Sequence, residues 1–173
     1  MDISHVRDRI VIVGNSGSGK STLALRLTRT RGLAHLDLDT LAWEPMTPPV
    51  RRPPADSARD IDTFTHANAR WVVEGCYADL LALVLPLCTL LLFLNPGVEA
   101  CVYNARTRPW EPHKYPSKVA QDANLEMLIG WIREYESRAD VLSLAAHRSL
   151  YDAFERDKIE FTTPEEAASW SID

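Results

Sequence analysis

The chain has 173 residues, 46% of them hydrophobic and 25% charged, which is the balance of a globular protein and not of a disordered or fibrous one. That length suffices for one domain with a sizeable core. A net charge of −5 gives no general attraction to nucleic acid or anionic membrane, so neither is an expected partner, and any phosphate must be held by a local cluster.

Met1 to Arg9 is polar and mixed in charge, with no secretory pattern. Cys76, Cys88 and Cys101 are odd in number and widely spaced. They form no metal pattern and no disulfide framework, and they read as buried thiols in a reducing cytoplasm.

The first predicted strand, Arg9 to Val13, carries the β-branched run Ile10-Val11-Ile12-Val13. The octet Gly14-Asn15-Ser16-Gly17-Ser18-Gly19-Lys20-Ser21 follows it. An amphipathic helix is predicted from Lys20 to Arg31, closed by Gly32. Strand, glycine loop and helix are the required context of the phosphate-binding pattern Gly, four residues, Gly-Lys-Ser/Thr. Glycines let backbone N–H groups turn inward as an anion nest, and the helix N-terminus adds its positive end. Lys20 reaches the β- and γ-phosphates of a nucleotide, and the Ser21 hydroxyl ligates Mg²⁺. The nucleotide contacts expected are therefore Gly14, Asn15, Ser16, Gly17, Ser18, Gly19, Lys20, Ser21 and Thr22.

Strand two, Ala34 to Leu38, runs into Asp37-Leu38-Asp39. On an extended segment two acids spaced by one residue point the same way. Beyond the carboxyl end of a parallel strand they face the ligand. Asp37 then holds a metal ion through water, and Asp39 orients or deprotonates an acceptor hydroxyl. The plainer alternative is that one acid caps the next helix and the other is solvated.

Residues 44 to 56 hold Pro45, Pro48, Pro49, Pro53 and Pro54 and are expected as an extended loop. Arg51 and Arg52 within it serve either an anionic acceptor or only the solvent. Asp56-Ser57 offers a cap for a helix to about Ala69. Strand three is predicted at Trp71 to Glu74, ended by Gly75, and Glu74 is a further metal candidate. The apolar stretch Leu80 to Leu94 is shorter than the ~20 residues of a spanning helix, and Pro86 interrupts it. A helix from Asp79 to Leu85, a turn and a buried strand Thr89 to Leu94 account for it.

A helix from Val98 to Thr107 leads into a proline-broken, cationic segment, 108 to 117. A long helix is predicted from Val119 to Arg138, with Met127, Leu128, Trp131 and Ile132 as its buried stripe. A strand Asp140 to Leu144 and a helix Ser149 to Arg156 follow. In the tail, Ile159 to Thr162 reads as a short strand and Pro164 to Trp170 as a short helix, both left open. His5, His35, His66 and His147 lack ligand spacing and read as structural. The alternation predicts an α/β fold, a parallel sheet with helices on both faces.

No guanine-reading Asn-Lys-x-Asp segment is present, and the strand Trp71-Val72-Val73-Glu74 ends in one acid and not in the paired acids of motor ATPases. A short chain with two closable loops suits a small-molecule kinase, which must exclude water.

Three blocks, Gly14 to Thr22, His35-Leu36-Asp37-Leu38-Asp39-x-x-Ala42-Trp43-x-Pro45 and Arg70-Trp71-Val72-Val73-Glu74-Gly75-x-Tyr77, resemble the adenylate-kinase-related proteins often labelled DNA topology modulation proteins. These sit in the nucleoside monophosphate kinase and shikimate kinase branch of phosphate-loop proteins. The resemblance holds to about residue 110 and beyond that is one of architecture. It implies a P-loop NTPase three-layer α/β/α sandwich with a five-stranded parallel sheet, using ATP and Mg²⁺. It places Asp37 near the metal, Asp39 on the acceptor hydroxyls, and Arg106 and Arg108 in a basic lid, with His113, Lys114 and Lys118 beside them. The chain departs from the group's Asp-Gly-Asn-Tyr block with Glu74-Gly75-Cys76-Tyr77, and its lid has fewer arginines. The expected function is transfer of the γ-phosphoryl of ATP to a small acceptor in the cytoplasm. The alternative is an ATP-binding regulatory module with weak NTPase activity.

Overall fold

A computed structural model describes residues 8–46, 48–112 and 114–172. Five parallel strands form one sheet in the order β2-β3-β1-β4-β5, with β1 Arg9–Gly14, β2 Ala34–Asp37, β3 Trp71–Gly75, β4 Leu90–Leu94 and β5 Asp157–Phe161. β1, β3 and β4 are almost wholly buried, which their unbroken apolar runs require of central strands in a parallel sheet.

The pleat divides each run between two faces. Ile10, Ile12, Leu90 and Leu92 pack with Leu23, Ala24 and Leu27 of α1 (Lys20–Arg31) and with Ala167 of α9 (Pro164–Ser169). Val11, Val13, Leu91 and Phe93 pack on the other face, against Ile61 of α3 (Pro54–Ala67), Leu80, Leu81 and Val84 of α4 (Ala78–Val84), and Leu150 of α8 (Leu144–Ala153). The result is a three-layer α/β/α sandwich. Burying one such Leu contributes about 1.5–3 kcal/mol, so the two faces account for most of the hydrophobic driving force. A smaller cluster joins Cys101, Val102 and Ala105 of α5 (Val98–Thr107) to Ile129 and Ile132 of α7 (Leu125–Arg133), beside the mouth of the sheet. Among the described residues, no helix is long and apolar enough to cross a membrane.

The first strand, its helix and the break within Leu80 to Leu94 have the expected positions. There α4 ends in a 3-10 turn, Leu85–Leu87, which contains Pro86, before β4 begins. Several expectations are corrected. Residues 140 to 144 are no strand. The Asp140 carboxylate accepts from Leu142 N at 2.9 Å, and Ser143 Oγ accepts from Ala146 N at 3.0 Å to cap α8. Those local bonds take the backbone groups a strand would need. The edge strand is instead β5, with Ile159 and Phe161 alternating onto the α1 face, and α8 starts at Leu144 and not at Ser149.

The helix predicted over Val119 to Arg138 is two helices, α6 (Lys118–Ala123) and α7, divided at Asn124. Its buried face is Ile129 and Ile132, while Met127 and Trp131 of the predicted stripe are exposed. α3 starts at Pro54, whose fixed φ suits a first helical position. Ser57, expected at its cap, instead donates to Leu41 O at 2.7 Å.

Candidate functional site

The chain leaves β1 for α1 through residues 14 to 19. Gly17 and Gly19 have φ of 77° and 96°, which side-chain-bearing residues rarely adopt. A Cβ at Gly17 would lie 2.4 Å from Cys101 O, and one at Gly14 2.4 Å from Leu94 O. The loop is held from both sides. Asn104 Nδ2 donates to Gly17 O at 2.8 Å, and Asn15 Nδ2 donates to Ile132 O at 3.1 Å. α5 and α7 thus fix the loop's shape before any ligand arrives.

Lys20 is buried, and its ammonium donates to Asn15 O at 2.8 Å, folded back along the loop. Ser18 Oγ is buried with no hydrogen-bond partner. A concave loop with positive-φ glycines, an inward ammonium, an orphaned hydroxyl and a helix N-terminus fits a phosphate chain. Ser16, Gly17, Ser18, Gly19, Lys20, Ser21 and Thr22 all line the cleft above it. Gly14 and Asn15 stand behind, as backbone support.

The acids gather at the neighbouring strand ends. Asp37 and Glu74 are register partners at the tips of β2 and β3. Glu74 is 2% exposed, accepts from Ser21 Oγ at 2.7 Å and lies 3.4 Å from His35 Nε2. Asp37 and Asp39 converge, by a different route from the extended pleat expected. Leu38 has helical torsions, and Asp39 opens the short helix α2 (Asp39–Ala42). Asp37 Oδ1 caps it by accepting from Asp39 N at 2.9 Å. The turn still brings both carboxylates to one ammonium, since Lys114 Nζ is 3.2 Å from Asp37 Oδ2 and 3.0 Å from Asp39 Oδ2.

Behind Asp39 runs a chain that sequence reasoning missed. Trp43 Nε1 donates to Tyr77 Oη at 2.7 Å, and Tyr77 Oη donates to Asp39 Oδ1 at 2.7 Å. Trp43 and Tyr77 both fall in the blocks that carry the resemblance, and that was the available signal. Burial alone raises a carboxyl, but at Asp39 the Lys114 ammonium, the Tyr77 and Lys114 hydrogen bonds and the Lys20 charge outweigh it, and the group is held below the usual range. Asp37 goes the other way: burial and the charges of Asp39 and Glu74 raise it more than Lys114 lowers it. At Lys114 burial opposes the charge, yet Asp39, Asp37 and Glu111 together hold its pKa above the usual lysine value.

Among the described residues, no group of three or more His, Cys, Asp or Glu side chains forms a metal cage. Ser21, Asp37 and Glu74 do stand around one side of the loop. An oxygen set this sparse fits Mg²⁺, which keeps waters and takes phosphate oxygens in place of an all-protein shell.

The lid candidates separate. Arg108 lines the cleft, with Nη1 on Glu111 Oε2 at 3.1 Å. Arg106 is half exposed, pairs with Glu126 at 3.6 Å and does not line the cleft. Lys118 pairs with Asp122. His113 lies outside the described residues. Of these candidates, Lys114 is the cation seated on the acids. Arg51 pairs with Asp79 at 2.9 Å, and Arg52 with Asp60 at 2.7 Å.

These walls enclose a cleft of about 1060 Å³, room for a nucleotide and a small second ligand. The segment 108–112, Lys114 and Tyr115 form one side; Pro164, Ala167 and Ala168 of α9 form another.

The fold resembles that of a solved kinase. A sugar kinase from a Janibacter species superposes with a TM-score of 0.52 at 15% identity, over 91% of this chain and 88% of that one. A gluconokinase from Sinorhizobium meliloti gives a TM-score of 0.49 at 17% identity, over 94% and 90% of the two chains. A deoxyadenosine kinase from M. mycoides, with bound dATP, gives 0.41 at 10% identity, over 88% and 90%. At 15% identity the likeness to the sugar kinase is one of fold. No protein-family model and no curated protein sequence matches the chain.

Proposed function

We propose that this protein is an ATP-dependent kinase that moves the γ-phosphoryl group to a hydroxyl of a small acceptor, and that it sits with the adenylate-kinase-related branch its sequence blocks resemble. The observation that carries the reading is Asp39. It lies beyond the phosphate loop on the cleft wall, held as a carboxylate by Lys114 and Tyr77. That is the group a phosphoryl transfer needs beside the attacking oxygen.

Loop amides from Ser16 to Thr22 and Lys20 hold the β- and γ-phosphates. Ser21, Asp37 and Glu74 are the residues that would hold Mg²⁺, and the ion would supply neutralisation of phosphate charge. Asp39 orients the acceptor hydroxyl and takes its proton as the acceptor oxygen bonds to the γ-phosphorus. The bond from the γ-phosphorus to the β–γ bridging oxygen breaks, and ADP leaves. Arg108 and Lys114 supply the lid's positive charge to the transferring group. Arg106, held on Glu126 outside the cleft, is left out of that set.

The testing experiment is transfer of labelled γ-phosphate from ATP to a panel of hydroxylated metabolites and nucleosides. Lys20→Ala should abolish nucleotide binding while the fold persists. Asp39→Asn should retain nucleotide binding and lose transfer. Full turnover by Asp39→Asn on a true acceptor would falsify the role given to this carboxylate. The pairing of Arg106 and Arg108 with acids favours a second reading, a nucleotide-binding module with slow hydrolysis. Tight ATP binding with no transfer to any acceptor would decide for it.

A further inference from the structure

We infer that the acceptor bound opposite ATP is an uncharged, polyhydroxylated molecule, and that phosphate monoesters and carboxylates are excluded by the way the local cations are paired. The inference rests on the kinase reading above and narrows its substrate class. A site for an anionic acceptor presents guanidinium forks that are open to the ligand. Here each of the nearby arginines already has one arm on a carboxylate of the protein itself.

Arg51 stands directly behind the reacting position. Its guanidinium lies 4.9 Å from the centre of the Tyr77 ring, whose hydroxyl touches Asp39, and 5.7 Å from that of Trp43. It would be the natural clamp for an acceptor phosphate, but its Nη2 is bound to Asp79 Oδ2 at 2.9 Å. Arg52 is held by Asp60 at 2.7 Å, whereas Arg108, on the cleft wall, has Nη1 on Glu111 at 3.1 Å and a buried Nε without a hydrogen-bond partner, left for the transferring phosphoryl group. Lys114 is divided between Asp37, Asp39 and Glu111, at 3.2, 3.0 and 3.6 Å.

An anion entering beside Asp39 therefore meets more negative than unpaired positive charge, in a partly desolvated cleft where like charges repel strongly. A neutral polyol meets no such opposition. Asp39 uses one lone pair of each oxygen, on Tyr77 and on Lys114, and a carboxylate has further lone pairs to accept from acceptor hydroxyls. Thr40, on the same wall, adds a hydroxyl.

The test uses matched pairs that differ only in charge: an aldose against its aldonate, and a nucleoside against its 5′-monophosphate. Each is assayed with ATP and Mg²⁺ for labelled transfer, and ATP binding is measured separately by calorimetry. The expected result is kcat/KM at least tenfold higher for the uncharged member of a pair. Asp79→Asn should free Arg51 and shrink that ratio by about tenfold, and Asp60→Asn provides a second route through Arg52 if the first variant melts. A wild-type preference for the anionic member overturns the inference and leaves the kinase reading intact. ATP binding with transfer to neither member of any pair overturns it as well. Absence of ATP binding removes the kinase reading itself.

Discussion

Lys114 Nζ lies 3.0 Å from Asp39 Oδ2, joining a lid residue to the acid at the foot of α2 across 75 positions of sequence. The same ammonium reaches Asp37, so one cation offsets two acids that would otherwise repel each other. Lys114→Met should leave Asp37 and Asp39 facing each other without compensation. Phosphoryl transfer should fall about 10²-fold or more, the range seen when one charge-stabilising group is removed. ATP affinity should change much less, because the loop and Lys20 are untouched. Steady-state kinetics beside calorimetry separates the two; equal loss of binding and turnover would make Lys114 a structural support only.

Tyr77→Phe breaks a two-step relay. The Trp43 indole N–H loses its acceptor and Asp39 loses a donor. A buried donor left unsatisfied costs about 1–3 kcal/mol, which for a chain of this size is a fall in Tm of about 2–12 °C. Turnover should drop as well, because Asp39 keeps only Lys114 to orient it. Thermal melting and kcat report the two effects separately. An unchanged Tm would mean that Trp43 finds another partner.

The phosphate loop, its strand and its helix were legible because local chemistry decides them: glycines for positive φ, a β-branched run, and Gly32 closing α1 through its N–H on Thr28 O at 3.0 Å. The central strands were legible because burial on both faces makes them apolar runs, with a polar residue only near the ends, Arg9 in β1 and Glu74 in β3. The strand expected over 140 to 144 does not form, because Val141 and Leu142 look strand-like one at a time whereas Asp140 and Ser143 bond locally and turn the chain; the fifth strand is the tail segment left open at Ile159 to Thr162. β5 carries Asp157, Lys158 and Glu160, and such an edge strand shows little apolar run. Convergence of Asp37 and Asp39 was foreseen on the geometry of a strand and is achieved by an Asp-capped turn. The seat of Lys114 depends on tertiary contact between distant segments, which no local pattern encodes.

His147 predicts how stability depends on pH. It is fully buried, and Cys76 O, which can only accept, lies 2.7 Å from Nε2. Nε2 therefore carries the hydrogen and Nδ1 accepts from Tyr135 Oη at 2.7 Å, a network that requires the neutral ring. Burial pushes the His147 pKa down to about 4, the Cys76 bond only partly opposing it. The unfolded chain takes up this proton below about pH 6.5 while the folded chain does not. The stability is therefore complete above that pH and is lost as pH falls toward 4, by about 3 kcal/mol at one 1.36 kcal/mol step per pKa unit. Urea unfolding between pH 4.5 and 8 should show the loss, and His147→Gln should flatten the curve. An equally steep curve in the variant would assign the pH dependence to other groups.

Arg26 ties the last helix to the first. Its guanidinium donates to the carbonyls of Ala167 at 2.7 Å and Trp170 at 2.8 Å, and also to that of Ala168, so it closes the C-terminal end of α9. Cations are favoured at that end, where helix carbonyls lack partners. Ala167 and Ala168 also line the cleft on the side of α1, so α9 serves as a wall as well as a cover for the sheet. Arg26→Lys keeps the charge but loses the planar fork, and a single ammonium cannot span three carbonyls. α9 should loosen, ATP affinity should weaken several-fold, and the acceptor KM should stay within about twofold, because Asp39 and Lys114 lie across the cleft. Hydrogen exchange over residues 164 to 170, compared with nucleotide titration, measures cause and effect in one variant. Faster exchange with unchanged ATP affinity would show that α9 covers the sheet without shaping the nucleotide site.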